Sequence, residues 1–223
     1  GTSPDDSGHS SQTGGGDQCL ASPSLVGVFE NHLFIGGNVL TEAIIAHSAP
    51  NAWYDFKATA GAGQVSVGFD VVQFKPFRDN LFVFGSNGIK KIVTSRTNDD
   101  PPATIFTEEN VTNNVGCIAR DSVVEIAGDL LFLAPDGLRT VAGTARIGDV
   151  ELSSVSRQIQ DIIKDISTNS ANIITSAVLR SKSQYRLFYS TSGESPLTSK
   201  GIIGTLTPNG FEWSETLGIQ ALG

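Results

Sequence analysis

Asn80-Leu81-Phe82-Val83-Phe84-Gly85-Ser86-Asn87-Gly88-Ile89 is the stretch on which the fold of this 223-residue chain turns. Four large apolar side chains follow one another without a break. A strand with one wet face would alternate, so the run predicts a strand covered on both faces. Asn87-Gly88 then closes it with a two-residue hairpin signal, because both positions tolerate positive φ. The phrase recurs as Asp129-Leu130-Leu131-Phe132-Leu133-Ala134-Pro135-Asp136-Gly137-Leu138, with Asp136-Gly137 as its turn. Shorter forms are His32-Leu33-Phe34-Ile35-Gly36-Gly37 and Tyr185-Arg186-Leu187-Phe188-Tyr189-Ser190-Thr191-Ser192-Gly193.

The copies start 48, 49 and 56 positions apart. Around each lie further short β-type segments: Leu25 to Phe29 before the first, Val71 and Val72 before the second, Val123 to Ile126 before the third, Ala177 to Leu179 before the fourth. A period near 50 residues with about four short strands per unit predicts an all-β, β-propeller-like chain, each repeat being one blade. A β-sandwich is the alternative; it accounts for the strands but not for the spacing. The longest interval contains the one helical pattern, in which Val155, Ile159, Ile162, Ile163 and Ile166 form an apolar stripe behind Ser153 and Ser154 as N-cap residues. Phe74 and Phe77 flank Pro76, which predicts a sheet edge or a strand end there. Thr207-Pro208-Asn209-Gly210 is a further hairpin, with Asn209 and Gly210 as its turn. The expected core comprises Leu33, Phe34, Leu81, Phe82, Phe84, Leu131, Phe132, Leu187 and Phe188 from the repeats, Trp53 from an aromatic cluster, and Ile159 and Ile163 from the helix.

Residues 1–20 are Gly-, Ser- and Asp-rich and read as an arm, flexible or held by a partner, ahead of one β domain over 21–223. The chain lacks methionine and starts at Gly1. The expectation is a processed chain or a segment of a longer protein. No run of about 18 apolar residues exists, so no membrane-spanning helix is expected. A net charge of −8 argues against a protein that grips nucleic acid by its phosphates. Cys19 and Cys117 stand far apart in unlike contexts and read as free thiols, a bridge between them being the alternative.

Catalytic signatures are missing from the sequence. His9, His32 and His47 have no His, Cys or carboxylate at metal-ligand spacing and read as solvent-exposed. No G-x-S-x-G elbow and no phosphate-binding glycine loop occurs; Gly61-Ala62-Gly63 reads as a turn. Asp99-Asp100 and Glu108-Glu109 read as solvated acids. Neither a sialidase-type box nor a Trp-Asp blade ending is present. No catalytic, metal or cofactor site is therefore assigned, and no cofactor is expected.

Ser48-Ala49-Pro50-Asn51-Ala52-Trp53-Tyr54-Asp55-Phe56, the block from Val71 to Gly85, the block from Val123 to Leu138, the helix Val155–Ile166 and the segment from Ala177 to Tyr189 together resemble the propeller domain of bacteriophage tail nozzle proteins, also called tail tubular protein B or head-to-tail stabilisation proteins. The similarity spans about residues 25–217. It implies a non-enzymatic virion protein of the phage tail, assembled in the host cytoplasm. It further implies a homo-oligomeric ring, about sixfold, around the DNA exit channel, with a portal or adaptor protein and tail fibres as partners. Two other readings stand beside it. One is a lectin-like propeller module that meets glycans through Trp53, Tyr54 and Trp213. The other is a propeller glycoside hydrolase with a carboxylate pair drawn from turn acids such as Asp79 and Asp129.

Overall fold

The computed structural model describes residues 18–40, 42–99, 102–142, 156–169, 173–190 and 199–219. These residues are mostly strand, in four antiparallel sheets, with one short α-helix. The chain divides into two compact units, the first made of residues 1–85 and 89–110 and the second of residues 86–88 and 111–223.

The first unit holds two four-stranded meanders. One runs β1 (Leu25–Phe29), β2 (His32–Gly36), β3 (Ile44–His47) and β4 (Gly63–Ser66). The other runs β5 (Val71–Phe77), β6 (Asn80–Gly85), β7 (Ile89–Arg96) and β8 (Thr104–Thr112). The second unit holds a three-stranded sheet, β9 (Val124–Ile126), β10 (Asp129–Ala134) and β11 (Gly137–Thr140), and a meander of β12 (Ile173–Leu179), β13 (Gln184–Ser190), β14 (Ser199–Thr207) and β15 (Gly210–Ile219). Each of the four copies of the apolar phrase is the second strand of its own sheet: β2, β6, β10 and β13.

The turns follow backbone chemistry more than the Asn-Gly signal. Phe29 pairs with His32 across Glu30-Asn31, both at positive φ. Ile126 pairs with Asp129 across Ala127-Gly128, also both positive. These are the two-residue turns whose twist matches that of the strands. At Asn87-Gly88 the expected two-residue turn does not form. The last β6–β7 pair is Phe84 with Ile89, and neither Asn87 nor Gly88 has positive φ. Packing sets this tip instead: a Cβ on Gly116 would lie 2.2 Å from the Ser86 carbonyl carbon and oxygen. The other two turns shift by one residue. Ala134 pairs with Gly137 and Thr207 with Gly210, so Pro135-Asp136 and Pro208-Asn209 make the corners. Proline presets φ at the first corner position, and the glycine becomes the first paired residue of the next strand.

In β6 every residue from Leu81 to Gly85 is buried, and in β10 every residue from Leu130 to Ala134. The first unit's main core joins Leu25, Phe29, Phe34 and Ile45 of one sheet to Phe74, Leu81, Val83 and Ile92 of the other. On the opposite face of the first sheet lie Leu20, Ile35, Ala46, Phe56 and Ala62. Leu20, at the end of the polar N-terminal stretch, is thus a core residue, and the Gln18 amide donates to the Phe56 carbonyl at 2.8 Å. The second unit's core joins Leu131, Leu133 and Leu138 to Tyr185, Leu187 and Ile202, with Ile163 and Ile166 of helix α1 (Gln160–Asn169).

Four expected core residues sit elsewhere. Trp53 is 57% exposed. Leu33 is half-buried, on the face of the first sheet that also carries the exposed Val26 and Val28. Phe188 is half-buried because β13, unlike β6, alternates: Phe188 shares the Arg186 face and lies over Gly201, where a Cβ would come 2.8 Å from its ring. Ile159 is half-buried, in a 3-10 turn (Arg157–Ile159) that precedes α1. The proposed caps Ser153 and Ser154 lie outside the described residues. Ser156 precedes the turn, but its hydroxyl does not cap; it accepts the Leu138 amide at 2.9 Å. Phe34, Leu81, Phe82, Phe84, Leu131, Phe132, Leu187 and Ile163 are buried.

Candidate functional site

The polar residues that gather at one end of the first unit come from three connections: the β1–β2 turn, the β3–β4 loop and the β7–β8 loop. They surround a cleft of about 430 Å³ whose polar lining is Glu30, Asn31, His32, Asn51, Arg96 and Thr104. Alternation along β2 and β3 puts Phe34 and Ile45 into the core and brings the two histidines to the strand ends beside it.

Both histidines are buried, His32 at 2% and His47 at 8% exposure, where the sequence led us to expect them in solvent. The physical reason is that each ring satisfies one nitrogen locally. His32 Nδ1 lies 2.6 Å from the Glu30 carbonyl and His47 Nδ1 lies 3.1 Å from the Ser48 carbonyl, so a neutral ring donates there. The carbon edges then pack as aromatics. The two imidazoles meet edge-on at 5.3 Å, and Phe106 stands 4.9 Å from His32 and 4.6 Å from His47. A Cβ on Gly63 would come 2.8 Å from His47 Nε2, so glycine there leaves the ring its place against β4. Burial pushes the His47 pKa below its ordinary value; His32 adds to the depression and the Ser48 carbonyl opposes it.

The β3–β4 loop is fixed by its own backbone. The Ala49 amide donates to the Asp55 carbonyl at 2.7 Å, the Asp55 amide to Ala52 at 2.9 Å, and the Asn51 amide to Asn31 at 2.8 Å. The Lys57 amide donates to Asp55 Oδ1 at 3.0 Å. On this fastened loop Trp53 and Tyr54 stand out, at 57% and 87% exposure. Three residues lining the cleft, Glu30, Asn31 and Asn51, have positive φ. For Asn that is mild; for Glu it is a strained conformation held by its surroundings.

In the second unit the polar groups serve the backbone. Ser122 Oγ donates to the Ala119 carbonyl at 2.6 Å and accepts the Leu133 amide at 3.1 Å. Asp129 accepts the Leu130 amide at 2.7 Å and the Ala142 amide at 3.1 Å, so this turn acid is committed to structure. Asp79 sits exposed in its turn. Asp136 forks onto the buried Arg139, with Nε to Oδ1 at 2.8 Å. A smaller cavity, about 270 Å³, lies beside the Glu125–Arg180 ion pair. Trp213 is half-buried, stacked on Phe211 at 5.3 Å, and packs over Gly204. Burial raises the pKa of the Tyr185 hydroxyl far above the ordinary range, with Ser176 opposing the shift.

Neither cysteine forms a disulfide. Cys19 is exposed; Cys117 is buried beside Ser122, and burial raises its thiol pKa. Glu108 and Glu109 pair across strands with Lys90 and Lys91, at 3.9 and 2.8 Å. Asp100 and His9 lie outside the described residues. Among the described residues no group of three or more His, Cys, Asp or Glu could hold a metal ion, and no helix is long and apolar enough to cross a membrane.

No family model and no curated protein sequence matches the chain. The buried histidine pair and the backbone-serving serines had no signal in the sequence. The cleft had one in part: Asn31 and Asn51 are residues that tolerate left-handed turns.

Proposed function

We propose that the chain is a structural component of a bacteriophage tail, a propeller-like part of the nozzle that works by rigid display. One observation carries the reading. Each copy of the apolar phrase occupies the same place, the second strand, in its own antiparallel sheet. Four-stranded meanders repeated at a period near 50 residues are what propeller blades require. In the first unit β1 lies beside β5, and in the second β9 lies beside β12, so within each unit the two sheets meet through their first strands. That arrangement supports stacked blades over a sandwich.

In this role the buried second strands supply stiffness, and the end loops dock neighbouring chains. The partners are further copies of the chain in a ring of about six, a portal or adaptor protein, and tail fibres. The site of action is the virion tail. The net charge of −8 lets DNA pass without sticking wherever the surface faces a channel. Mass photometry of the assembled tail component tests the reading. A closed ring of about six chains is expected; a stable monomer under assembly conditions overturns it.

A further inference from the structure

We propose that the loop end of the first unit is a recognition site for a neutral saccharide: the cleft that Asn51 helps to line is the hydrogen-bonding pocket, and Trp53 and Tyr54, two and three residues further along the same loop, are the stacking platforms. The inference does not rest on the assembly reading.

Exposing two large aromatic rings has a cost. Trp and Tyr are large apolar rings, and a globular chain ordinarily buries most of their area. Here two adjacent rings stand in solvent on a loop held by backbone and Asx hydrogen bonds. A loose loop could fold its rings back; this one fixes them outward. Rigid aromatics of this kind cost little entropy to use as contact area. Trp213, in the second unit, is packed over Gly204 and stacked on Phe211, so outward display is not a general habit of the chain's tryptophans.

The lining of the cleft mixes hydrogen-bond donors and acceptors. Glu30 supplies acceptors, Arg96 donors, and Asn31 and Asn51 both, with the Thr104 hydroxyl beside them. Glu30 and Arg96 oppose each other in sign, which favours a neutral ligand over a phosphate or a cationic peptide. A ligand that needs donors and acceptors in close alternation, and also offers C–H faces to aromatic rings, is a sugar. The cleft of about 430 Å³ falls in the range of small-molecule sites and suits one or two pyranose rings. Buried His32 forms part of the wall, and its contact with the Glu30 carbonyl fixes the turn that shapes it.

The test uses the full chain on an array of neutral hexose and N-acetylhexosamine oligosaccharides. Hits are then titrated by fluorescence in a Trp213→Phe background, where Trp53 is the sole tryptophan. Binding to neutral sugars with a change in Trp53 emission is expected. Trp53→Ala and Arg96→Ala, both at exposed positions and checked for folding by circular dichroism, should each weaken binding by about tenfold or more. Lys91→Ala, on the neighbouring sheet, should leave it unchanged. Absence of binding to every neutral sugar overturns the proposal. So does binding only to anionic glycans, or binding that survives both loop variants. Self-association lost in Trp53→Ala, with no sugar binding, would assign the rings to a contact between copies and overturn it too.

Discussion

In the second unit Ser122, Ser156 and Asp129 each take up a backbone amide, whereas at the loop end of the first unit Glu30, Asn31, Asn51 and Arg96 stand around a cleft. The two regions share one plan: each holds two antiparallel sheets, and one of them has a second strand, β6 or β10, buried on both faces. They differ in what the remaining polar groups are for. Where a short connection leaves an amide unpaired at the edge of the core, a serine or aspartate fills the gap, and that residue is lost to chemistry. Where a longer loop satisfies most of its own backbone, as from Ala49 to Asp55, side chains such as Asn51, Trp53 and Tyr54 are left for the surface, though Asp55 still accepts the Lys57 amide. Polar residues in this fold therefore divide by loop self-sufficiency, not by residue type.

The shared plan is tested first, because its failure would be largest. Phe84 in β6 and Phe132 in β10 are fully buried, at 0% exposure. An aspartate at either site has no partner, and the cost of burying it rivals the whole stability of a domain, about 5–15 kcal/mol. Phe84→Asp and Phe132→Asp should each abolish the native circular dichroism spectrum. Phe82, at 9% exposure and nearer the surface, should suffer less when changed to aspartate. A Phe84→Asp protein that keeps a native spectrum would break the two-sided burial on which the repeat rests.

A smaller effect separates the units. Ser122 and Ser48 are both buried and both accept a strand amide, Leu133 at 3.1 Å and Leu33 at 3.0 Å. Replacing either by alanine orphans that amide, worth about 1–3 kcal/mol. Leu133 is fully buried and Leu33 only half, so water can rescue the second amide but not the first. Denaturant unfolding should show the greater loss for Ser122→Ala. Equal losses would mean that the Leu33 amide is as cut off from solvent as the Leu133 amide.

Legibility in the sequence followed the same division. β6 and β10 could be read because side-chain burial on both faces leaves a compositional trace; β2 and β13 carry the same phrase with Leu33, Arg186 and Phe188 only half-buried. Register could not, since Pro135 and Pro208 move the corner one residue ahead of the Asp-Gly and Asn-Gly pairs. Trp53 was misplaced because size and hydrophobicity suggest burial, while the loop's hydrogen bonds decide otherwise. His32 and His47 were misplaced in the opposite direction: one carbonyl contact apiece, beside Phe106, lets an imidazole serve as an aromatic core residue. Such contacts join residues through the fold and leave no periodicity to detect.

The smallest predicted difference is also the most selective, because the second unit's residues include no histidine. His47 has its pKa lowered by burial, with His32 as the nearby group that adds to the effect. The unfolded chain then binds a proton more readily than the folded one. The stabilisation is complete above the ordinary histidine value near 6.5 and is lost as pH falls through it toward the lowered one. Acidification from about pH 7.5 to about 5.5 should therefore loosen β2 and β3 while leaving β10 and β11 unchanged. Hydrogen exchange, corrected for the intrinsic pH dependence of the amide rate, reads both regions in one experiment. In His47→Gln the acid-induced rise in β2 and β3 exchange should shrink, because glutamine has no proton to gain. An equal rise in both regions, or one that persists in His47→Gln, would place the acid sensitivity outside the histidine pair.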